Sequence, residues 1–109
     1  MGRDRRRYPR VGVALDISIE AAGRRWDAKT VDLSPYGVKV ALPASAIRPS
    51  EGTSIKLLLS APPSAETLSM KGMVWRREPK SMVLIFVELG REQLERLKDL
   101  VEFLQTAPA

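Results

Sequence analysis

The sequence predicts a mainly β protein: a six-stranded antiparallel barrel followed by one C-terminal α-helix. Three observations carry that expectation. Apolar and polar residues alternate with a period of two through six short segments, which is the pattern of half-buried strands. Turn-forming residues punctuate those segments at roughly even spacing. The final stretch switches to helical periodicity, so the helix comes last.

Each element follows from its own residues. Val11, Val13, Leu15, Ile17 and Ile19 alternate with Gly12, Ala14, Asp16, Ser18 and Glu20, predicting one strand over residues 11–20. Ala22-Gly23-Arg24 signals a hairpin turn. A second strand runs from Arg25 to Leu33, with Val31 and Leu33 expected on one face, and Ser34-Pro35-Tyr36-Gly37 breaks it. Val38, Val40 and Leu42 mark the third. Residues 43–52, with Pro43, Pro49 and Gly52, read as a loop with room for one helical turn.

The fourth strand spans about Ser54 to Ser60 with Ile55, Leu57 and Leu59 inward, and Pro62-Pro63-Ser64 forms the next loop. The fifth, Leu68 to Arg77, places Leu68, Met70, Gly72 and Val74 inward. It turns Ser69, Lys71, Met73, Trp75 and Arg77 outward. Glu78-Pro79-Lys80 leads to the sixth, Met82 to Leu89, which is apolar on both faces and therefore needs outer cover. The helical stripe Leu94, Leu97, Leu100, Val101 and Leu104 after Gly90 is expected to supply that cover. Closing the sheet removes the edge strands that would otherwise invite aggregation.

Composition narrows the functional classes. A chain of 109 residues is one domain, with 44% hydrophobic and 28% charged residues, ordinary globular usage. It has no cysteine and no histidine, so disulfides, thiolate nucleophiles, zinc–cysteine sites and the commonest general base are excluded. No paired-carboxylate, phosphate-loop or metal-ligand spacing is present, so neither catalytic residues nor metal ligands are assigned and no enzyme is expected. The arginine-rich start lacks the apolar core of a signal peptide. No apolar run reaches the roughly 20 residues of a membrane-spanning helix, and a cytoplasmic location is expected.

The net charge of +5 is unevenly placed. Residues 1–10 hold Arg3, Arg5, Arg6, Arg7 and Arg10 against Asp4, a local charge of +4, and the other 99 residues carry only +1. Residues 1–10 therefore read as a flexible arginine-rich arm, and residues 11–105 as the barrel domain with its helix at about 91–105. A nucleic-acid binder would carry its basic face on the folded body, so nucleic acid is not the expected partner.

Two segments carry chemistry. Arg6-Arg7-Tyr8-Pro9-Arg10 spaces two arginines by four residues with a proline-stiffened link, and Arg10 abuts the first strand. Guanidinium groups grip phosphate bidentately, pair with guanine O6 and N7, and stack on bases. Asp32-Leu33-Ser34-Pro35-Tyr36-Gly37 gathers a carboxylate, a hydroxyl and a glycine in one turn. A purely structural account is available for each: arginine runs form solvated tails, and Asp, Ser and Gly build turns. Arg takes phosphate and acceptor edges while Asp takes donor edges, so together the segments suit a ligand with phosphates and guanines.

On these residues the chain resembles the PilZ domain, the bacterial receptor module for cyclic di-GMP. That family is marked by RxxxR on an N-terminal arm and [D/N]xSxxG between strands two and three of a six-stranded barrel with a C-terminal helix. The resemblance covers essentially the whole chain. It implies that Arg6 and Arg10 grip phosphates and guanines, that Asp32 and Ser34 meet a guanine edge and adjacent backbone, and that Gly37 shapes the turn. Arg5 and Arg7 are possible additional contacts, suited to an intercalated ligand pair. Trp75 is another, with a barrel-wall packing role as the alternative, and Trp26 is read as packing. The sequence departs from the family where the last strand runs Met82-Val83-Leu84-Ile85-Phe86 without the frequent glycine before its aromatic residue.

The implied function is a non-enzymatic cyclic di-GMP receptor whose arm folds over the barrel on binding. It would signal in trans to a protein effector of motility, exopolysaccharide or pilus function, as a monomer or homodimer and with no cofactor beyond that ligand. The alternatives are a ligand-independent adaptor in type IV pilus assembly and a small nucleic-acid-binding barrel.

Overall fold

The computed structural model describes residues 10–43, 47–60 and 67–106. Seven strands precede the helix: β1 Val11–Gly12, β2 Asp16–Ala21, β3 Arg24–Ser34, β4 Gly37–Ala41, β5 Ser54–Ser60, β6 Thr67–Glu78 and β7 Ser81–Val87, then α1 Arg91–Thr106. Six of them close a ring, β3-β2-β5-β6-β7-β4 and back to β3, every neighbour antiparallel. β1 is an extra short strand on β3. The expected barrel is present, with its interior filled by inward residues such as Ile19, Leu33, Leu57, Leu59, Val74 and Leu84.

The first strand differs from the expectation for residues 11–20: it is interrupted at residues 13–15. Val11 pairs with Leu33 and Gly12 with Asp32, whereas Asp16 pairs with Lys29, so three residues on one strand face two on β3. The Thr30 hydroxyl, buried at this slip, accepts the Leu15 N–H at 2.8 Å and donates to the Val13 carbonyl. The backbone groups freed by the slip are thereby satisfied, which is what a buried slip requires.

Two β-bulges shape the ring. On β3, Thr30 pairs with Val40 and Asp32 with Lys39, leaving Val31 unpaired. Val31 and Leu33 therefore do not share a face, as the alternation alone suggested: Val31 is exposed and Leu33 is fully buried. On β6, Val74 pairs with Leu84 and Arg76 with Val83, leaving Trp75 as the extra residue. Arg76, rather than Arg77, then takes the place in register with outward-facing Val83. An inserted residue twists the strand and resets which face later side chains occupy.

The β2–β3 hairpin turns through two residues, Ala22 and Gly23, with φ of 51° and 78°. Positive φ at both positions matches the type I′ turn favoured by strand twist. The Pro43–Gly52 loop shows no helical turn among the described residues. It is tied down by Arg48, whose guanidinium donates to the carbonyls of Glu78, Pro79 and Ser81 across the β6–β7 turn. Trp26 packs partly buried against the core and its indole N–H donates to the Ile47 carbonyl.

The helix begins with a reciprocal cap: the Gly90 carbonyl accepts the Leu94 N–H, and Gln93 Oε1 accepts the Gly90 N–H at 2.8 Å. Gln93 Nε2 also donates to the Ser69 carbonyl, fixing the helix start to β6. Leu97, Leu100 and Val101 join the barrel core, with Leu104 partly buried against it. The main packing partners of α1 are β3 and β1, so it does not cover the outer face of β7 as expected. Val83, Ile85 and Val87 on that face stay half-buried.

Candidate ligand-binding site

The turn Asp32–Gly37 is built by its serine. Ser34 Oγ accepts the Tyr36 and Gly37 N–H groups, each at 3.2 Å, and Ser34 is buried. Its hydroxyl is spent holding the turn, a local side-chain-to-backbone pattern typical of serine before a proline. The Phe86 N–H donates to the Tyr36 carbonyl at 3.0 Å, which pins the turn to β7. Gly37 is needed for closeness rather than for positive φ: a Cβ there would meet the Leu84 carbonyl oxygen at 2.6 Å. Tyr36 points outward, about half exposed.

Arg10 and Asp32, 22 residues apart, meet on this surface. Arg10 Nε donates to Asp32 Oδ1 at 2.7 Å and Nη2 reaches the same oxygen at 2.6 Å. Both partners remain partly exposed, so the pair is a positioned surface contact rather than a core ion pair. The Arg10 contacts converge on Oδ1, and among the described residues Oδ2 receives no hydrogen bond. Among the described residues no acceptor takes the two Nη1 hydrogens of Arg10 or the second hydrogen on Nη2. One carboxylate oxygen and one N–H edge of a guanidinium thus have hydrogen-bonding capacity left among the described residues, on a partly exposed surface. Arg5, Arg6 and Arg7 lie outside the described residues.

The register places further residues beside this pair. Asp32 pairs with Lys39, Lys39 with Val83, and Val83 with Arg76, forming one outer row across β3, β4, β7 and β6. In the adjacent outer row Gly37 pairs with Ile85 and Ile85 with Met73. Val83, Ile85 and Met73, all half-buried, make an apolar floor between the Asp32–Gly37 turn and Trp75. Trp75 projects from its bulge at 57% exposure, on the outer face where the sequence placed it.

Glu78 stands in the next outer row, two residues beyond Arg76 and paired with Ser81. Ser81 Oγ donates to its Oε1 at 2.6 Å and Lys39 Nζ lies 3.2 Å from the same atom, with Arg76 Nε at 3.7 Å from Oε2. The Ser81 hydrogen bond first, then that of Lys39, hold the Glu78 carboxyl below its ordinary value. Lys39 and Arg76 were not singled out from the sequence. Their signal is the pairing register, which brings residues of four strands into one line. No group of metal-ligating side chains occurs among the described residues. Among them, too, no helix is long and apolar enough to cross a membrane.

A closed six-stranded barrel with an arginine just ahead of its leading strand and an Asp-x-Ser-x-x-Gly turn defines a class of regulatory binding domain, and comparison with known proteins gives the family. The chain belongs to the PilZ family: the PilZ domain model matches residues 4–103. Solved structures share the fold at low identity. The Bacillus subtilis inhibitor of motility MotI/DgrA superposes with a TM-score of 0.78 at 21% identity, over 93% of this chain and 51% of that one. The present chain thus spans about half the length of MotI/DgrA. The PilZ domain of YcgR from Escherichia coli, solved with c-di-GMP, gives 0.76 at 14% identity over 93% and 92% of the two chains. The PilZ domain of CeSA from a cellulose-synthesizing bacterium gives 0.72 at 19% identity over 88% and 97%. No curated protein matches the chain.

Proposed function

We propose that this chain is a non-enzymatic receptor for cyclic di-GMP. The observation that carries the reading is the Arg10–Asp32 contact, in which the two motif segments meet on one barrel face. Asp32 Oδ2 is available to accept from the N1–H and N2–H2 edge of a guanine, while the free N–H groups of Arg10 suit a phosphate or the O6/N7 edge. Ser34 and Gly37 act by building the turn that holds Asp32 in place. Arg6, with Arg5 and Arg7 beside it, supplies the remaining guanidinium groups from the arm. The solved YcgR PilZ domain, which carries c-di-GMP, shares this barrel and adds support.

In this reading the ligand bridges arm and barrel, fixing residues 1–10 over the outer face. The altered surface is what a protein effector meets, and differential binding energy shifts the arm between its states. Signalling is in trans, from a cytoplasmic domain. Titration calorimetry with cyclic di-GMP tests the proposal: micromolar ligand should give saturable heat. Arg10→Ala and Asp32→Ala should each weaken binding by about 1.5–3 kcal/mol, roughly tenfold to hundredfold. Absence of heat, or unchanged affinity in both variants, would sink it, and capture of the same partner with and without nucleotide would favour an adaptor.

A further inference from the structure

We infer that the ligand site extends past the two motifs along the outer row, and that Lys39 and Arg76 form a second subsite for a phosphodiester anion. The inference rests on the receptor reading above. Four observations carry it. Lys39 is the direct cross-strand neighbour of Asp32, so its ammonium belongs to the same surface as the Arg10–Asp32 pair. Lys39 is half-buried, with its side chain 34% exposed, and its ammonium reaches across β7 to Glu78 in the neighbouring outer row. Arg76 sits at the other end of that row, and one carboxylate, Glu78, faces both cations. Two positive charges share one negative charge, leaving the far end of the row net positive.

Geometry sets the ligand class. The row spans three inter-strand gaps, about 14 Å at the usual strand spacing, which suits a ligand carrying two phosphates and two bases rather than a mononucleotide. Its floor is apolar, from Val83 and Ile85, and Trp75 stands at its far end for base stacking. Arg10 with Asp32 takes one end of the dianion, and Lys39 with Arg76 takes the other. Glu78 is the internal competitor. While the site is empty it holds Lys39 at 3.2 Å, and the arriving phosphodiester draws the ammonium away from it. Glu78 thereby sets how tightly the second subsite binds, without touching the ligand itself.

Calorimetric titration of cyclic di-GMP into the wild-type chain, Lys39→Met, Lys39→Arg, Glu78→Gln and the Lys39→Met/Glu78→Gln double variant tests the inference. Lys39→Met should weaken binding about tenfold and flatten its salt dependence, since one charge–charge contact is gone. Lys39→Arg should restore most of the affinity. Glu78→Gln should tighten binding several-fold, and adding it to Lys39→Met should recover only the smaller part that Glu78 exerts through Arg76. Wild-type affinity in Lys39→Met, with thermal melting showing a folded protein and Arg10→Ala still defective, overturns the second subsite and leaves the receptor reading standing. No binding by the wild type overturns both.

Discussion

The bulges at Val31 and Trp75 solve the same problem at opposite ends of one row. Along β3, Ala28 and Thr30 face inward, and strict alternation would send Asp32 inward next. Along β6, Met70, Gly72 and Val74 face inward, and strict alternation would bury Arg76. One extra residue in each strand instead returns the charged side chain to the outer face, in register with Lys39 and Val83. The two differ in what the extra residue contributes. Val31 contributes spacing and a carbonyl that accepts the Val13 N–H, whereas Trp75 offers its own ring to whatever lies on the row. A bulge can thus place a neighbour or present itself, and this barrel uses both.

Deleting Val31 should have the largest effect. It either drives the Asp32 carboxylate into the core or slips the β3–β4 register, and a buried unpaired charge costs about 3–5 kcal/mol. Denaturant unfolding should show a loss of that size together with loss of cyclic di-GMP heat. Deleting Trp75 should be milder, because Arg76 lies near a strand end and its long stem can carry the charge back to water. Equal damage from both deletions would break the comparison.

Gly37→Ala separates closeness from charge. Its Cβ would press on the Leu84 carbonyl oxygen, so β4 must move from β7 and stability should fall by about 1–3 kcal/mol in chemical denaturation. Trp75→Ala sharpens the contrast in the other direction. It should leave stability within about 0.5 kcal/mol. It should weaken ligand binding by about 1–3 kcal/mol if the ring stacks on a base, read by calorimetry.

The smallest effect is a pH dependence. Ser81 and then Lys39 lower the Glu78 carboxyl from its usual 4.5, so its contribution to stability is complete above that pH. It disappears as pH falls through the lowered folded value. Melting temperatures of wild type and Glu78→Gln should therefore differ at neutral pH and converge in acid.

Much of this was legible in the sequence, for identifiable reasons. Alternation located the strands because each has one wet face, and Ala22-Gly23 marked its hairpin through the φ that turn demands. Arg10 and Asp32, which the structure brings into contact, and the Ser34 turn stood out because their chemistry is compressed into short segments. Val31 was assigned to the face of Leu33 because a bulge residue is an ordinary strand residue until its partner strand is known. Lys39 and Arg76 were invisible for the same reason: their relation to Asp32 runs through pairings with other strands. The helix was found, but its docking side was not, since a periodic stripe says what is buried and not against what.

The ring order has a consequence for assembly. Most neighbouring strands are joined by hairpins and can pair early, but β2 and β5 are separated by the β3–β4 hairpin and β4 and β7 by the β5–β6 hairpin, so these two joints form across long stretches of chain. Non-local pairings of this kind are slow, because chain entropy is lost before contacts form. The Lys39–Val83 pairing lies on the β4–β7 joint. A ligand lying along the row as proposed would therefore act as a stitch across one of the two joints that no hairpin holds, and its departure would leave that joint the easier to reopen.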